Sequence, residues 1–363
     1  MNLESAPIRR HRPLELTVEL QPRSRFDVID VPGQITTRLG DVLAPYDQVL
    51  YCSHHTTAGY LEQPLASRLG HERSRLHPFM RAFQRLFPYG AGYRHDEMEL
   101  RDELSEEQRR VEPANADAHL AFIGAGLQSC VTYVHHPGTP VFLMDLDGEC
   151  DGRFRKRITS VVGFNERETV AEATCDVPVS RHTIDSVNLS DERLGVMDAI
   201  RQMLREEPVE HGRLDIAIDP GEESAAVTVN EYETLLMRHD LADVLRDPLR
   251  FAARQGRRML RDPRAVPAKS LGYAKYDVVQ VLNELIDAFG LHESAVERLL
   301  ARVMAVPAAR FLRVRRSVSF AVSSGSEGTP RVVHGRYQSP ILIQWKAAPD
   351  RARRLHLILH RLS

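Results

Sequence analysis

The chain has 363 residues, 42% of them hydrophobic and 27% charged, which is the balance of a folded globular protein and excludes a disordered one. With a formal net charge of −2, electrostatics makes no case for a nucleic-acid or membrane partner. No apolar run approaches the length that spans a bilayer.

The first residues, MNLESAPIRRHRP, lack the apolar core of a signal peptide, so a cytoplasmic protein is expected. LELTVEL then alternates apolar and polar residues as a strand does. RFDVIDVPGQITTRLGDVLAPY predicts a second strand followed by an amphipathic helix that runs out near Pro45. DQVLY is a strand again, and it ends in SHHTTAGY (53–60), where a core strand would continue with valine or leucine. Apolar residues at helical spacing predict one long helix from about Leu65 to Phe87. A charged, polar connection, 93–119, follows. SCVTYVHH, TPVFLMDL, RFRKRITSVVGF and RETVAEATCDVPV are strand-like runs separated by Gly, Pro and Asp. Strand, helix, strand, helix and a meander of strands predict an α+β fold with a mostly antiparallel sheet.

After residue 180 the order starts again. HTIDSVNLSDERLGVMDAIRQML (182–204) repeats the strand-then-helix pattern of 26–43, and Arg38-Leu39-Gly40 returns as Arg193-Leu194-Gly195. RLDIAIDPGEESAAVTVNE matches DQVLYCSHHTTAGYLEQ. A helical region, about 231–305, replaces the helix and charged connection of the first half. Gly-Thr-Pro stands at 138–140 and at 328–330, and Gly152-Arg153-Phe154 lines up with Gly335-Arg336-Tyr337. Matches in one order point to a diverged tandem duplication, with domains at 1–180 and 181–363, the second enlarged by a helical insertion.

HTTA (55–58), YRHDE (93–97) and NADAH (115–119) stand in the order and approximate spacing of the YjbQ-like family, the secondary thiamine-phosphate synthase enzymes, which residues 14–178 resemble. The resemblance implies a small α+β unit that assembles as a trimer, and weakly a thiamine-phosphate synthase activity. The family's Gly-x-Trp-Gln turn has become Gly152-Arg153-Phe154-Arg155 in the first half. The second half has Gly335-Arg336-Tyr337-Gln338, but Glu222-Glu223-Ser224-Ala225 where the first has HTTA. One copy keeps the histidines and the other the Gln turn. Sites formed between copies would produce that pattern, and so would decay of the second copy into a scaffold.

The shared motifs single out His55, His95 and His119. Imidazole serves as general acid/base near neutral pH or as a metal ligand, and three histidines with an open position suit a zinc-type divalent metal as cofactor. Asp117 is a further candidate ligand. Thr56, Thr57, Asn115, Ser129 and Arg155 are candidate substrate-holding donors, with Tyr337 and Gln338 completing the site from the second half. There is no Walker-type or GxGxxG loop, which disfavours the common nucleotide sites. Cys52, Cys130, Cys150 and Cys175 form no CxxC pair and read as reduced core thiols. The expected function is that of an enzyme acting on a phosphorylated or anionic small molecule. The competing expectation is a non-catalytic binding or assembly protein whose fused domains mimic the family's oligomer. The basic stretch 254–269 reads as a solvated helix end, and Glu222 and Glu223 as a polar turn.

Overall fold

Asp30 shows how local chemistry sets the first boundary in the computed structural model, which describes residues 11–150, 152–246, 312–325 and 328–363. After the strands β1 (Leu14–Leu20) and β2 (Asp27–Asp30), the Asp30 side chain accepts the Gly33 N–H and caps helix α1 (Val31–Leu39). Gly40, at φ +72°, ends that helix, several residues before Pro45. Strands β3 (Gln48–Ser53) and β4 (Ala58–Gly59) flank the histidines.

The long helix expected next is broken into α2 (Gln63–Arg68) and α3 (Arg73–Leu86), because Gly70 and His71 both take positive φ between them. The polar connection yields a short helix, α4 (Glu106–Val111), closed by a Ser105/Gln108 capping box. It then yields α5 (Ala116–Ala125), a helix buried on every side. NADAH is therefore the start of a core helix, and its polar residues are buried.

Strands β5 (Cys130–Val134), β6 (Phe142–Asp145), β7 (Glu149–Cys150), β8 (Arg153–Phe154) and β9 (Arg157–Phe164) complete the first sheets, ordered β1-β9-β3-β5 and β2-β6-β4. Strand β10 (Arg167–Pro178) pairs with β17 (Ala352–Leu362), so RETVAEATCDVPV belongs to the second large sheet.

The remaining elements are β11 (Asp185–Asn188), α6 (Val196–Glu206), β12 (His211–Ile218), β13 (Ala225–Asn230), α7 (Leu241–Arg246), β14 (Ser317–Ser323), β15 (Arg331–Val333) and β16 (Ser339–Gln344). A π-helical turn, Leu236–Asp240, leads into α7. Most of the helical region expected at 231–305, and the basic stretch 254–269, lie outside the described residues. The second sheets are ordered β10-β17-β12-β14-β15 and β11-β16-β13. Element for element this is the order of the first half, with β15 added. Pairing among the described strands is antiparallel throughout, so the architecture is α+β.

One apolar cluster packs Phe79, Phe83 and Phe122 of the first half together with Leu236, Leu241 and Ile341 of the second. Each such side chain contributes on the order of 1.5–3 kcal/mol by leaving water. A second cluster lies between α6 and its own sheet. Where the large sheets meet, Leu50, Cys52, Val162 and Phe164 pack on Ala321 and Leu362. All four cysteines are free thiols, with Cys52 and Cys130 buried at this contact and Cys150 and Cys175 half-buried.

Candidate functional site

Strand β3 ends against the second half. The turn 335–338 comes so close that a Cβ on Gly335 would overlap the His54 carbonyl oxygen, so only glycine fits there. Gln338 Nε2 donates to the carbonyls of Ser53 (3.0 Å) and His55 (2.9 Å) and reaches Ser129 Oγ at 3.1 Å. Its Oε1 accepts the Gly335 N–H. Asn230, the last residue of β13, donates from Nδ2 to the Thr56 carbonyl at 3.2 Å. The polar end of SHHTTAGY is thus pinned by backbone contacts that the second half supplies.

Behind this strand end, His95 and His119 stand edge to face with ring centroids 5.4 Å apart. His95 Nδ1 is 2.9 Å from Glu233 Oε2, and Nε2 is 3.3 Å from Asn115 Oδ1. Asn115 uses its Nδ2 to donate to Asp147, so Oδ1 faces His95 as an acceptor. With an acceptor on each side, both nitrogens are placed to donate, which favours the protonated ring. Burial opposes that charge, yet the Glu233 contact and the Asp96 and Glu231 carboxylates raise its pKa above the usual histidine value.

His119 is the opposite case. Asn230 Oδ1 accepts both the Glu231 N–H (2.8 Å) and, at 2.6 Å, the Nδ1–H of His119. That tautomer leaves a lone pair on Nε2, which is buried and has no hydrogen-bond partner. Complete burial, with His95 and Arg101 nearby, lowers its pKa to about 3. Neighbours thus push one histidine toward the charged form and the other toward the neutral one.

In front lies a cleft of about 800 Å³. His55, Thr56, Thr57 and Asn115 line it, as do Arg110, Arg153, Arg155 and Lys156. Glu231 forms part of the wall, its side chain 20% exposed, with Oε2 3.7 Å from His119 Nε2 and Oε1 3.7 Å from Arg101 Nη2. Burial raises the Glu231 pKa. Arg155 reaches Asp147 at 3.2 Å, Lys156 reaches Glu19 at 3.0 Å, and Arg153 makes no ion pair with a described residue.

Of the residues the sequence singled out, Asn115, Thr56, Thr57, Arg155 and Tyr337 line the cleft, with Tyr337 largely exposed. Ser129 and Gln338 instead hold each other behind the strand end. His55 lines the cleft, but its Nε2 accepts the Ile158 N–H at 2.7 Å, and burial together with Arg157 lowers its pKa to about 3. Asp117 commits both oxygens to Arg25, at 2.8 and 2.9 Å.

The metal reading of His55, His95, His119 and Asp117 therefore meets a donor set already in use. His119 Nε2 alone among the imidazole nitrogens discussed here keeps an uncommitted lone pair in the buried cluster. Among the described residues no group of three or more His, Cys, Asp or Glu is disposed to hold a metal ion. The described residues do not fit a zinc-type centre.

The register also corrects one sequence match. Asp27 pairs with Asp145 and Asp185 with Gln344, so β6 corresponds to β16. The Gly335–Gln338 turn precedes β16, whereas Gly152–Arg155 follows β6, so the two tetrapeptides are not counterparts. Arg157 stands opposite Leu20 near the start of β9, and Arg353 opposite Val177 near the start of β17. Arg157 is bound by Asp145 at 2.6 and 2.7 Å. Arg353 faces Gln344 at 3.3 Å and takes its carboxylate from Glu222, the residue in the place of His55.

Asn230, Glu231 and Glu233 escaped the sequence reading. Their one signal was a strand, AAVTVN, running straight into the polar NEYE, the same break that drew attention to SHHTTAGY.

No family model and no curated protein matches this chain. Among solved structures it is similar to a YbjQ-like protein of unknown function from Sulfolobus solfataricus P2, with TM-score 0.28 and 15% identity over 54% of this chain and 99% of that one. It is likewise similar to a hypothetical protein from Aeropyrum pernix K1, with TM-score 0.27 and 15% identity over 52% of this chain and 96% of that one. An uncharacterized conserved protein of the yjbq/upf0047 family from Clostridium acetobutylicum gives TM-score 0.25 and 12% identity, over 52% and 99% of the two chains. With TM-scores of this size, function has to be read from this chain's own residues.

Proposed function

We propose that the cleft binds a phosphorylated or otherwise anionic small molecule and that the chain acts on it as an enzyme. The observation that carries the reading is the concentration of Arg110, Arg153, Arg155 and Lys156 along one cleft, with no ion pair from Arg153 to a described residue. Guanidinium groups bind phosphate oxygens through paired donors, and Thr56 and Thr57 add hydroxyls at the same wall. We also infer that the halves are diverged YjbQ-like copies, a reading supported by the repeated strand order. In it the second half has become the permanent neighbour that supplies Asn230, Glu231 and Glu233.

The test is calorimetric titration with inorganic phosphate, pyrophosphate and a panel of phosphomonoesters, followed by a search for turnover of whatever binds. Wild-type protein is expected to bind at least one of them, and Arg153→Ala with Arg155→Ala to weaken it tenfold or more. No binding by the wild type would refute the reading. Binding with no turnover across the panel would favour the alternative, a non-catalytic binding protein. That alternative draws support from His95, both of whose ring nitrogens are already committed to carboxylate or amide oxygens.

A further inference from the structure

The cationic side of the cleft accounts for an anion, but its other wall has the opposite character. There Glu231 faces the cleft, flanked by Glu112, with buried Arg101 between them at 3.7 Å and 3.2 Å. Asn230 fixes the backbone on which Glu231 stands by accepting its N–H and donating to the Thr56 carbonyl. Behind Glu231 lies the buried His119 Nε2, without a hydrogen-bond partner and 3.7 Å from the same carboxylate. Two acceptors therefore converge with no described donor between them. Unmet acceptors of this kind, His119 Nε2 fully buried and Glu231 Oε2 at the cleft wall, are unfavourable until a donor reaches them. They favour a partner that brings a donor.

We propose that Glu231, from the second half, is a specificity-determining residue of the cleft, selecting anions that also carry a hydroxyl or amino donor. This rests on the anion-binding reading above. The ligand class it implies is a phosphate ester with free donor groups, the phosphate on the arginine wall and the donors on the Glu231 wall. Glu231 is the contacting group. His119 lies behind it and is not on the cleft lining.

The probes are inorganic phosphate, methyl phosphate and a set of hydroxyl- or amino-bearing esters that includes glycerol phosphate and hexose phosphates. All are titrated into the full chain by calorimetry. Wild-type protein is expected to prefer at least one donor-bearing ester over methyl phosphate by about tenfold or more, the scale of one hydrogen bond to a charged group. Glu231→Ala is expected to erase that preference and to bind inorganic phosphate as well as before or more tightly, because a like charge has gone. A merely structural Glu231 would weaken every probe together. Should the alanine variant not fold, Glu231→Gln serves, since it keeps the shape and removes the charge.

A wild type that binds phosphate without preferring any donor-bearing ester overturns the assignment and leaves the anion cleft standing. The same holds for a preference that survives in both variants. A wild type that binds no probe overturns the cleft reading and this assignment with it.

Discussion

Two histidines 5.4 Å apart are pushed in opposite directions by what lies beyond each ring. His95 sits between two oxygen acceptors, which favours its protonated form. His119 spends one nitrogen on Asn230 and finds no acceptor for a second proton in a fully buried site. The linkage follows in sign. His119 has a pKa of about 3 when folded and 6.5 as the free side chain, so the unfolded chain binds the extra proton between those values. Acidification through that window therefore costs stability, at about 1.4 kcal/mol per pH unit for one group. His55 acts in the same direction, while Asp96, raised to about 6 chiefly by burial, opposes it. The raised pKa of His95 favours folding below 6.5, and that contribution is lost as pH rises through its folded value. Comparing His119→Asn with wild type isolates one term. From pH 6 to pH 4 the variant's stability, measured by urea denaturation, should fall less steeply by about 1.4 kcal/mol per pH unit. Parallel curves would mean that His119 is protonated in the folded protein.

At the scale of elements, the two halves solve the same burial problem differently. Arg157, the first residue of β9, and Arg353, the second of β17, each need a carboxylate, because an unpaired buried charge costs several kcal/mol. Arg157 finds it across the sheets in Asp145, the last residue of β6. Arg353 meets Gln344, the last residue of β16, and Glu222 supplies the charge from the turn before β13. Replacing Glu222 by alanine should then destabilise the fold by about 3 kcal/mol or more. Adding Gln344→Asp should recover most of that loss, as thermal denaturation of the single and double variants would show. If the double variant is no better than the single one, the charge exchange is not what holds Arg353. The pairing also shows why Glu222 looked like an ordinary polar turn in the sequence: its partner is 131 residues away.

At the scale of the whole molecule, the apolar core does not respect the boundary between halves. Helices α3 and α5 pack with Leu236, Leu241, Ile341 and Ile343, and the large sheets meet through Phe164 and Leu362. The described halves should therefore unfold together. Trp345, the single tryptophan, lies in the second half and reports on it, while far-UV circular dichroism reports on both. The two probes should give one coincident urea transition. Separate transitions would show that the shared core contributes little to coupling. No helix among the described residues is long and apolar enough to cross a membrane.

Periodicity was enough to read most strands, the helix α6, the α+β class and the unusual polarity of SHHTTAGY, because these depend on which face of a short segment is apolar. The break between α2 and α3 was less legible, since it turns on positive φ at Gly70 and His71. NADAH looked like a solvated connection because helix α5 is buried all round and carries no polar face to betray it. The partners were out of reach altogether. Asn115 and Asp117 were visible as polar residues, but that one fixes His95 and the other binds Arg25 depends on contacts 20 and 92 residues away in sequence. Likewise the strand order gave Asn230, Glu231 and Glu233 to the histidines, and gave Gln338 to the backbone of β3. The chain by itself determined which residues are polar at the ends of strands. Only the tertiary structure decided which of them meet, because hydrogen bonds and ion pairs depend on distance in space and not along the chain.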